Sequence, residues 1–446
     1  KRRLINVSLT SQGLITLFLT LRLMRYYLDR QGRFVIEGYE RAKPFASFFP
    51  GIAGPWGIPM WVFYVNRGQG VVSLGTKDKN SAIAEFLPAD RAWELASVQG
   101  FRTFLKIRRE KGKGTLYYEP FQDGPENRRF KVRRRMKISS YELEIEEINR
   151  DLGIKSEVRY WTLPNEPVAA LAREAAWTNL GSQGIDIEVV DGLPKVVPYG
   201  TGDFFLKKMS RTIQAWMQTQ ILPPGGSGCR AGQGKGRIAF YNLSVDPRDR
   251  PETLFIDGGN FYFAFLRRDG SSRRRGGEGR TQLLDLIVDP QFLFGGGDLS
   301  YPRSFVSAAK FRARMEAQGR ESRMPCAMSY AGFYLRPGQG QVVSSLLGYS
   351  RNKEWLLPCV DKILNDGFLA RKREENQGII RAIEDNLDTR SALREFNLYA
   401  RQTFLDNVLR GGYPLSLDTA AGKKAFYVYS RKHGDLERGG RYASDK

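Results

Sequence analysis

The sequence predicts a mainly β protein: a large antiparallel sandwich followed by a helical segment. Two observations carry this. From about residue 26 to about residue 350, apolar and polar residues alternate with a period of two in one run after another. After about residue 360 the apolar spacing changes to three and four. Strands at that density without intervening helices imply sheets packed face to face rather than a parallel α/β sheet.

Residues 1–25 read as an atypical N-terminal flank. Ile15, Leu17, Leu19, Leu21 and Leu23 alternate, which suits a strand, while Thr16, Thr20 and Arg22 make the run too polar for a membrane span. No small-residue cleavage site follows, and a chain that starts at Lys1 rather than Met suggests a terminus that is not natural. Met60–Val65 and Val71–Leu74, joined by Asn66-Arg67-Gly68-Gln69-Gly70, read as a hairpin whose glycines supply the positive φ angles of the turn. Further alternation places Tyr141, Leu143 and Ile145 opposite Glu142, Glu144 and Glu146. It recurs at Val158–Thr162, Ile185–Val189 and Phe261–Phe265. Tyr160 and Trp161 then point to opposite faces, so that only one of them is expected in the core. One helix is expected to interrupt the sheets, over Asp203–Gln220, with Phe205, Met209, Ile213 and Trp216 on one face.

Two glycine-rich stretches, 223–236 and 267–280, read as surface insertions. The first ends in Gly234-Lys235 and invites a phosphate-loop reading. That reading fails, because Cys229 stands where the first glycine belongs and Gly236 where Ser or Thr would hold magnesium. A helix is expected over Phe368–Asp385. Another runs through Leu393, Phe396, Ala400, Phe404 and Val408, started by Asp388-Thr389 and stopped by Gly411-Gly412. The tail holds one strand-like run, Ala425–Ser430, and then polar residues. The organisation is therefore a sandwich over 26–360, a helical linker over 361–412 and the beginning of a further region over 413–446.

Composition bounds the function. The chain has 446 residues, 41% of them hydrophobic and 12% aromatic, which is ample for a core. Cysteines at 229, 326 and 359 are too few and too scattered for a disulfide framework or a zinc cage, and they suit a reducing, cytoplasmic setting. The single histidine, His433, excludes a histidine-cage metal enzyme. A net charge of +22 fits either a polyanionic partner or a surface kept soluble by scattered charge. Nucleic-acid binding is the weaker reading, because aromatics are not interleaved with Arg128–Arg135 or with the Arg267–Arg280 stretch.

Several stretches together carry a family resemblance. Phe48–Gly75, Tyr160–Asn179, Asp191–Gly200 and Phe205–Met217 resemble the N-terminal sandwich of inverting, cellobiose-phosphorylase-like β-glucan phosphorylases. Gly100-Phe101-Arg102-Thr103-Phe104, Phe404–Pro414 and Tyr429–Arg438 are similar to the branch acting on β-1,3-glucans and oligoglucans. The resemblance implies a β-supersandwich, a helical linker, an (α/α)6 barrel and a small jelly roll, with this chain truncated before the barrel. It also implies that the general acid and the phosphate-binding residues lie in that barrel, so no catalytic residue is assigned to this chain.

The chemistry so implied is inverting phosphorolysis. A hydrolase of that stereochemistry needs two carboxyl groups, one to protonate the leaving oxygen and one to activate water. Inorganic phosphate is itself an anionic nucleophile, so the second carboxylate gives way to cationic and hydroxyl donors that hold the phosphate. The products are α-glucose 1-phosphate and a glucan shortened by one unit. Phosphate is the co-substrate of the full-length family and no other cofactor is expected. The implied partner is a β-glucan or oligoglucan, with a homodimer open and no membrane.

Candidate substrate-binding residues are Asp406, Asn407, Arg410 and Tyr413 at the linker end, with Arg431, His433 and Asp435 as a second rim. Asp406 and Asn407 have the groups to bond sugar hydroxyls, and Tyr413 has a face on which a pyranose can stack. Asp406 and Arg410 are equally spaced for an i,i+4 pair on one helix, and the second rim also reads as a solvated polar turn. Trp56 and Trp61 read as sugar platform or core, and Asp191-Gly192-Leu193-Pro194 as a turn. Beside the phosphorylase reading stand a stand-alone carbohydrate-binding or dimerising β-sandwich and a basic nucleic-acid-binding protein.

Overall fold

The computed structural model describes residues 24–427, apart from 51–59, 110–113, 125, 210, 225–236, 249–250, 268–280, 297, 309–310, 388, 412–413 and 420–421. Ile15–Leu23, Trp56, most of both glycine-rich stretches, Tyr413 and the rim residues Arg431, His433 and Asp435 lie outside the described residues.

In chain order, β1 (Arg25–Leu28) and β2 (Phe34–Glu37) precede β3 (Ala46–Pro50), β4 (Met60–Val65), β5 (Val71–Thr76) and β6 (Ala82–Ala84). Helix α1 (Ala89–Gln99) leads to β7 (Arg102–Arg109), β8 (Leu116–Tyr118), β9 (Val132–Ile138), β10 (Glu142–Asn149), β11 (Ile154–Thr162), β12 (Ala169–Asn179) and β13 (Ile185–Leu193). Helix α2 (Asp203–Lys208) and a 3-10 turn (Thr212–Trp216) come before β14 (Met217–Leu222), β15 (Ile238–Leu243), β16 (Gly259–Arg267), β17 (Thr281–Leu283) and β18 (Asp285–Ile287). Next are α3 (Pro290–Phe294), α4 (Arg303–Ser307), a 3-10 turn (Arg312–Ala317), β19 (Ala327–Leu335) and β20 (Gly340–Ser350). The last elements are α5 (Lys353–Leu364), α6 (Phe368–Glu384), α7 (Arg394–Gly411), β21 (Pro414–Thr419) and β22 (Gly422–Tyr427).

An 11-stranded sheet has the order β1-β2-β9-β10-β11-β12-β20-β16-β15-β14, with β17 on β16. A five-stranded sheet has the order β18-β19-β13-β7-β8, a four-stranded sheet the order β3-β4-β5-β6, and β21-β22 form a hairpin. The long ladders are antiparallel, as the sequence predicts. The main core fills the space between the sheets: Leu143, Ile145, Leu171, Ala175, Trp177 and Tyr262 from the large sheet meet Leu105, Ile107, Ile187 and Val189 from the five-stranded one. Each such aliphatic side chain contributes about 1.5–3 kcal/mol by leaving water.

The outer face of the large sheet divides in two. Trp161, Ala170, Ala172, Phe261, Phe263, Phe265 and Leu346 form an apolar half, covered by Leu356, Cys359, Val360 and Ile363 of α5 and Leu369 of α6. This corrects the expectation that only one of Tyr160 and Trp161 is core: both are fully buried, on opposite faces, because the linker helices roof the outer one. The other half carries an ionic lattice. Glu144 sits in register with Lys137 and Arg159 across its two neighbouring strands and pairs with both, and Arg159 reaches Glu174 at 3.2 Å. The glutamates that alternate along β10 therefore face other charges and not bulk water.

Three further expectations change. The sequence reading misses α1, an 11-residue helix whose Ala92 and Ala96 pack on Val65 and Val72. The helix expected over Asp203–Gln220 ends within its first turns. Met217–Leu222 instead joins β15 as an edge strand, and that pairing satisfies its backbone more fully than an exposed helix end would. Phe205, Met209, Ile213 and Trp216 still converge on one cluster, with Met217 and Leu243. Finally, Pro414–Thr419 is a strand where the sequence shows only its partner, and proline is at home as the first residue of a strand.

Candidate functional site

Helix α7 carries the described part of the predicted sugar-binding end. Leu405 and Val408 face inward onto Ile380 and Ile383 of α6, and Arg401 meets Asp385 at 3.7 Å. That leaves Asp406 partly exposed and Asn407 exposed on the other side of the helix. Asn407 Nδ2 donates to the Thr403 carbonyl one turn back, at 3.0 Å, so its own helix takes up one of its donors. Arg410 lies in the last turn of the helix. Of the predicted residues, then, the described structure brings Asp406, Asn407 and Arg410 onto one short helical segment. Nearer the start of the same helix Phe396 and Tyr399 are exposed, as is Leu393 just before it.

The most elaborate polar assembly lies elsewhere, at the centre of the sandwich, where sequence reasoning did not look. Arg173 on β12 and Asp191 on β13 are each about 1% exposed. Arg173 Nη1 and Nη2 both donate to the Asp191 carboxylate, the second at 2.9 Å. Arg173 Nη2 also donates to Gln69 Oε1 at 2.6 Å, and Arg173 Nε to the Tyr160 hydroxyl at 3.3 Å. Thr103 Oγ1 donates to Asp191 Oδ1 at 2.5 Å and accepts from Gln69 Nε2 at 2.9 Å. The guanidinium lies 5.3 Å from the centre of the Phe101 ring and 5.6 Å from that of Tyr160. Burial disfavours the charge on Arg173, but the Asp191 carboxylate outweighs it and holds the guanidinium above its ordinary range. Burial pushes the Tyr160 hydroxyl up to about 12.

Asp191 is thus a strand residue and not part of a turn. The signal in the sequence was a charge within the run Val189-Val190-Asp191-Gly192-Leu193, the half of β13 buried on both faces, where a charge requires a buried partner. Every group of the assembly has a partner within it, so it acts as a joint between layers.

The Gly100–Phe104 stretch is spent in the same way. Arg102 makes a two-pronged pair with Glu119, Nε to Oε1 at 2.6 Å and Nη2 to Oε2 at 2.8 Å, and donates to the carbonyls of Leu299 and Ser300. Burial raises the Glu119 carboxyl, with Arg102 opposing it. The basic run before β10 is also paired internally. Arg133 meets Glu37 at 2.8 Å, Arg134 meets Glu147 at 2.6 Å, and Arg135 lies 3.5 Å from Glu146. Trp61 packs against Phe48 in the four-stranded sheet and donates its indole N–H to the Lys77 carbonyl at 3.1 Å, which is the core reading of that residue. Among the described residues no group of His, Cys, Asp and Glu side chains could hold a metal ion. No helix of the described residues is long and apolar enough to cross a membrane.

No protein-family model and no curated protein matches the chain. Among solved structures it is similar to a bacterial glucoamylase complexed with acarbose, at 7% identity and a TM-score of 0.37, over 83% of this chain and 42% of that one. It is also similar to the GH36 α-galactosidase AgaB from Geobacillus stearothermophilus, at 12% identity and a TM-score of 0.33, over 74% and 41%. A galactose mutarotase-like protein from Clostridium acetobutylicum is matched at 10% identity and a TM-score of 0.30, over 74% of this chain and 98% of that one. The chain spans 33%, 41% and 42% of the first three solved chains it matches. The chain is a mainly antiparallel β-sandwich protein, and the strand ladders themselves carry that assignment.

Proposed function

We propose that this chain is the non-catalytic sandwich-and-linker portion of a β-1,3-glucan or oligoglucan phosphorylase, an enzyme releasing α-glucose 1-phosphate by inverting phosphorolysis. One observation carries the reading. Gln69, Thr103, Tyr160, Arg173 and Asp191 come from four of the separate stretches that resemble the family, and all five meet in one buried joint. Residues kept for such a joint hold layers together and leave the chemistry to another part of the enzyme. The order of elements supports the same reading, since the sandwich passes from β20 directly into three helices, of which α5 and α6 roof its outer face and α7 packs on α6.

In this reading the sandwich and linker set the position of a barrel that supplies the acid, and Asp406 and Asn407 lie near its mouth. The general acid protonates the departing glycosidic oxygen while phosphate attacks the anomeric carbon from the opposite face.

The test is phosphate-dependent release of glucose 1-phosphate from laminaribiose and longer β-1,3-glucans. The chain alone should release none, and the chain joined to an (α/α)6 barrel of the family should release it. Turnover by the chain alone overturns the proposal, as does an inactive fusion whose sandwich and barrel are both folded. Saturable binding of laminari-oligosaccharides by a chain that no barrel activates favours the stand-alone carbohydrate-binding reading.

A further inference from the structure

The outer face of the five-stranded sheet carries an apolar layer that the scaffold reading does not use. Phe104 of β7, Val190 of β13, Ile287 of β18 and Met328 of β19 form a cluster separate from the main core, together with Phe294 of α3, Phe305 of α4 and Phe311. A cavity of about 480 Å³ opens among α3, α4 and the 3-10 turn, lined by Gln291, Phe292, Ser304, Phe311 and Arg314. Sites for small organic ligands span roughly 300–1,000 Å³.

The floor of the cavity is fixed. Phe311 is wedged by Phe292 and Phe305, each at 5.3 Å between ring centres, and by Tyr330 at 5.9 Å. Phe292 is only partly buried and keeps part of its surface open. The rim is polar and under-used. The Ser304 hydroxyl and Gln291 Nε2 have no hydrogen-bond partner among the described residues, and Gln291 Oε1 accepts only a long bond from Arg323 at 3.4 Å. The charge is also unbalanced. Arg312 is neutralised by Asp285 at 2.7 Å and Arg323 by Asp289 at 2.8 Å, whereas exposed Arg314 has no ion pair among the described residues.

From this geometry we infer that the cavity binds a small anion carried on a flat ring, of the class of nucleoside monophosphates. A planar base stacks on the open side of Phe292, as bases do on aromatic side chains. The Arg314 guanidinium takes the phosphate in a forked, charge-assisted contact. Gln291 offers both a donor and an acceptor to the edge of the base, and Ser304 a hydroxyl to the ribose. A pyranose phosphate would satisfy Arg314 but has no planar π face for Phe292. Inorganic phosphate would satisfy Arg314 alone.

The test is titration calorimetry of the full chain with adenosine monophosphate, glucose 1-phosphate and inorganic phosphate in parallel. Adenosine monophosphate should bind saturably with a dissociation constant below about 1 mM. It should bind at least tenfold more tightly than either of the other two. Arg314→Ala should weaken it about tenfold or more with the melting temperature unchanged, Phe292→Ala should do the same, and Arg336→Ala, on the turn between β19 and β20, should leave it intact. Absence of binding overturns the inference, as do equal affinity for glucose 1-phosphate or an affinity that survives Arg314→Ala. The Arg314 variant keeps the test decisive if the Phe292 variant fails to fold.

Discussion

Replacing Asp191 by Leu removes the acceptor of both Arg173 Nη groups and of Thr103 Oγ1 in one step. What remains around the guanidinium is Gln69 Oε1, the Tyr160 hydroxyl, the Thr103 hydroxyl at 3.5 Å and two aromatic faces, in a site closed to water. A buried charge deprived of its partner costs about 3–5 kcal/mol. Whole-protein stability is only about 5–15 kcal/mol. Asp191→Leu should therefore remove a large share of it. Arg173→Met should cost a similar amount by the converse route, stranding the carboxylate. The double variant should not cost the sum. With both charges gone the site is apolar, and such replacements range from neutral to more stable by about 1–4 kcal/mol. The assay is urea unfolding followed by tryptophan fluorescence, since Trp177 and Trp161 sit in the two layers that share β11 and β12. The coupling energy is read from the double-mutant cycle. A single-variant cost below about 1 kcal/mol, or a double variant as damaging as the two singles added together, refutes the reasoning.

Two more predictions follow from the same coordinates. Burial opposes the charge on Glu144, but hydrogen bonds from Lys137 and Arg159 outweigh it and hold the carboxyl at about 2, below its ordinary 4.5. A carboxyl lowered in the folded state contributes stability that is complete above the unfolded value and is lost as pH falls toward the folded one. Stability should therefore drop between pH of about 4.5 and about 2, and Glu144→Gln should flatten that part of the acid-unfolding curve; an unchanged curve would count against the lattice. Glycine provides the second contrast. Gly378 lies in α6 with open space around its Cβ position, so Gly378→Ala should stabilise the protein by about 0.5–1 kcal/mol in thermal or urea melts. Gly348→Ala would set a Cβ 1.9 Å from the Ala169 carbonyl oxygen and should break the pairing of β12 with β20. Similar melts for the two variants would contradict this account.

Much of the fold was legible because period-two alternation reports a strand whatever covers it. The hairpin Met60–Val65 with Val71–Thr76 and the helix Phe368–Glu384 were both readable within a residue or two. What alternation does not report is burial of the polar face. Glu142, Glu144 and Glu146 look solvated in the sequence, yet all three are buried, because the neighbouring strands and, from far along the chain, Arg373 of α6 supply countercharges. Trp161 was ambiguous for the same reason: its cover, α5 and α6, starts almost two hundred residues later. Helix α1 was missed because its apolar face is built largely from small alanines, which give a weak periodic signal.

The candidate site was the least legible part, and the reason bears on function. A sequence motif marks residues that are used together without saying what for. Arg102, Thr103, Arg173 and Asp191 carry the residue types of a catalytic centre: two guanidiniums, a hydroxyl and a carboxylate. In the structure their hydrogen-bonding groups are turned on one another, on Glu119 and on the backbone at Leu299 and Ser300. A reacting group must keep at least one valence open to substrate, and saturated groups at the centre of a sandwich do not. Among the described residues, polar side chains that combine open valences with access to solvent include Ser304, Gln291 and Arg314, beside the cavity of the five-stranded sheet. On the proposed scaffold reading, such a joint fixes the relation between the sheets and leaves the meeting with ligands to the periphery.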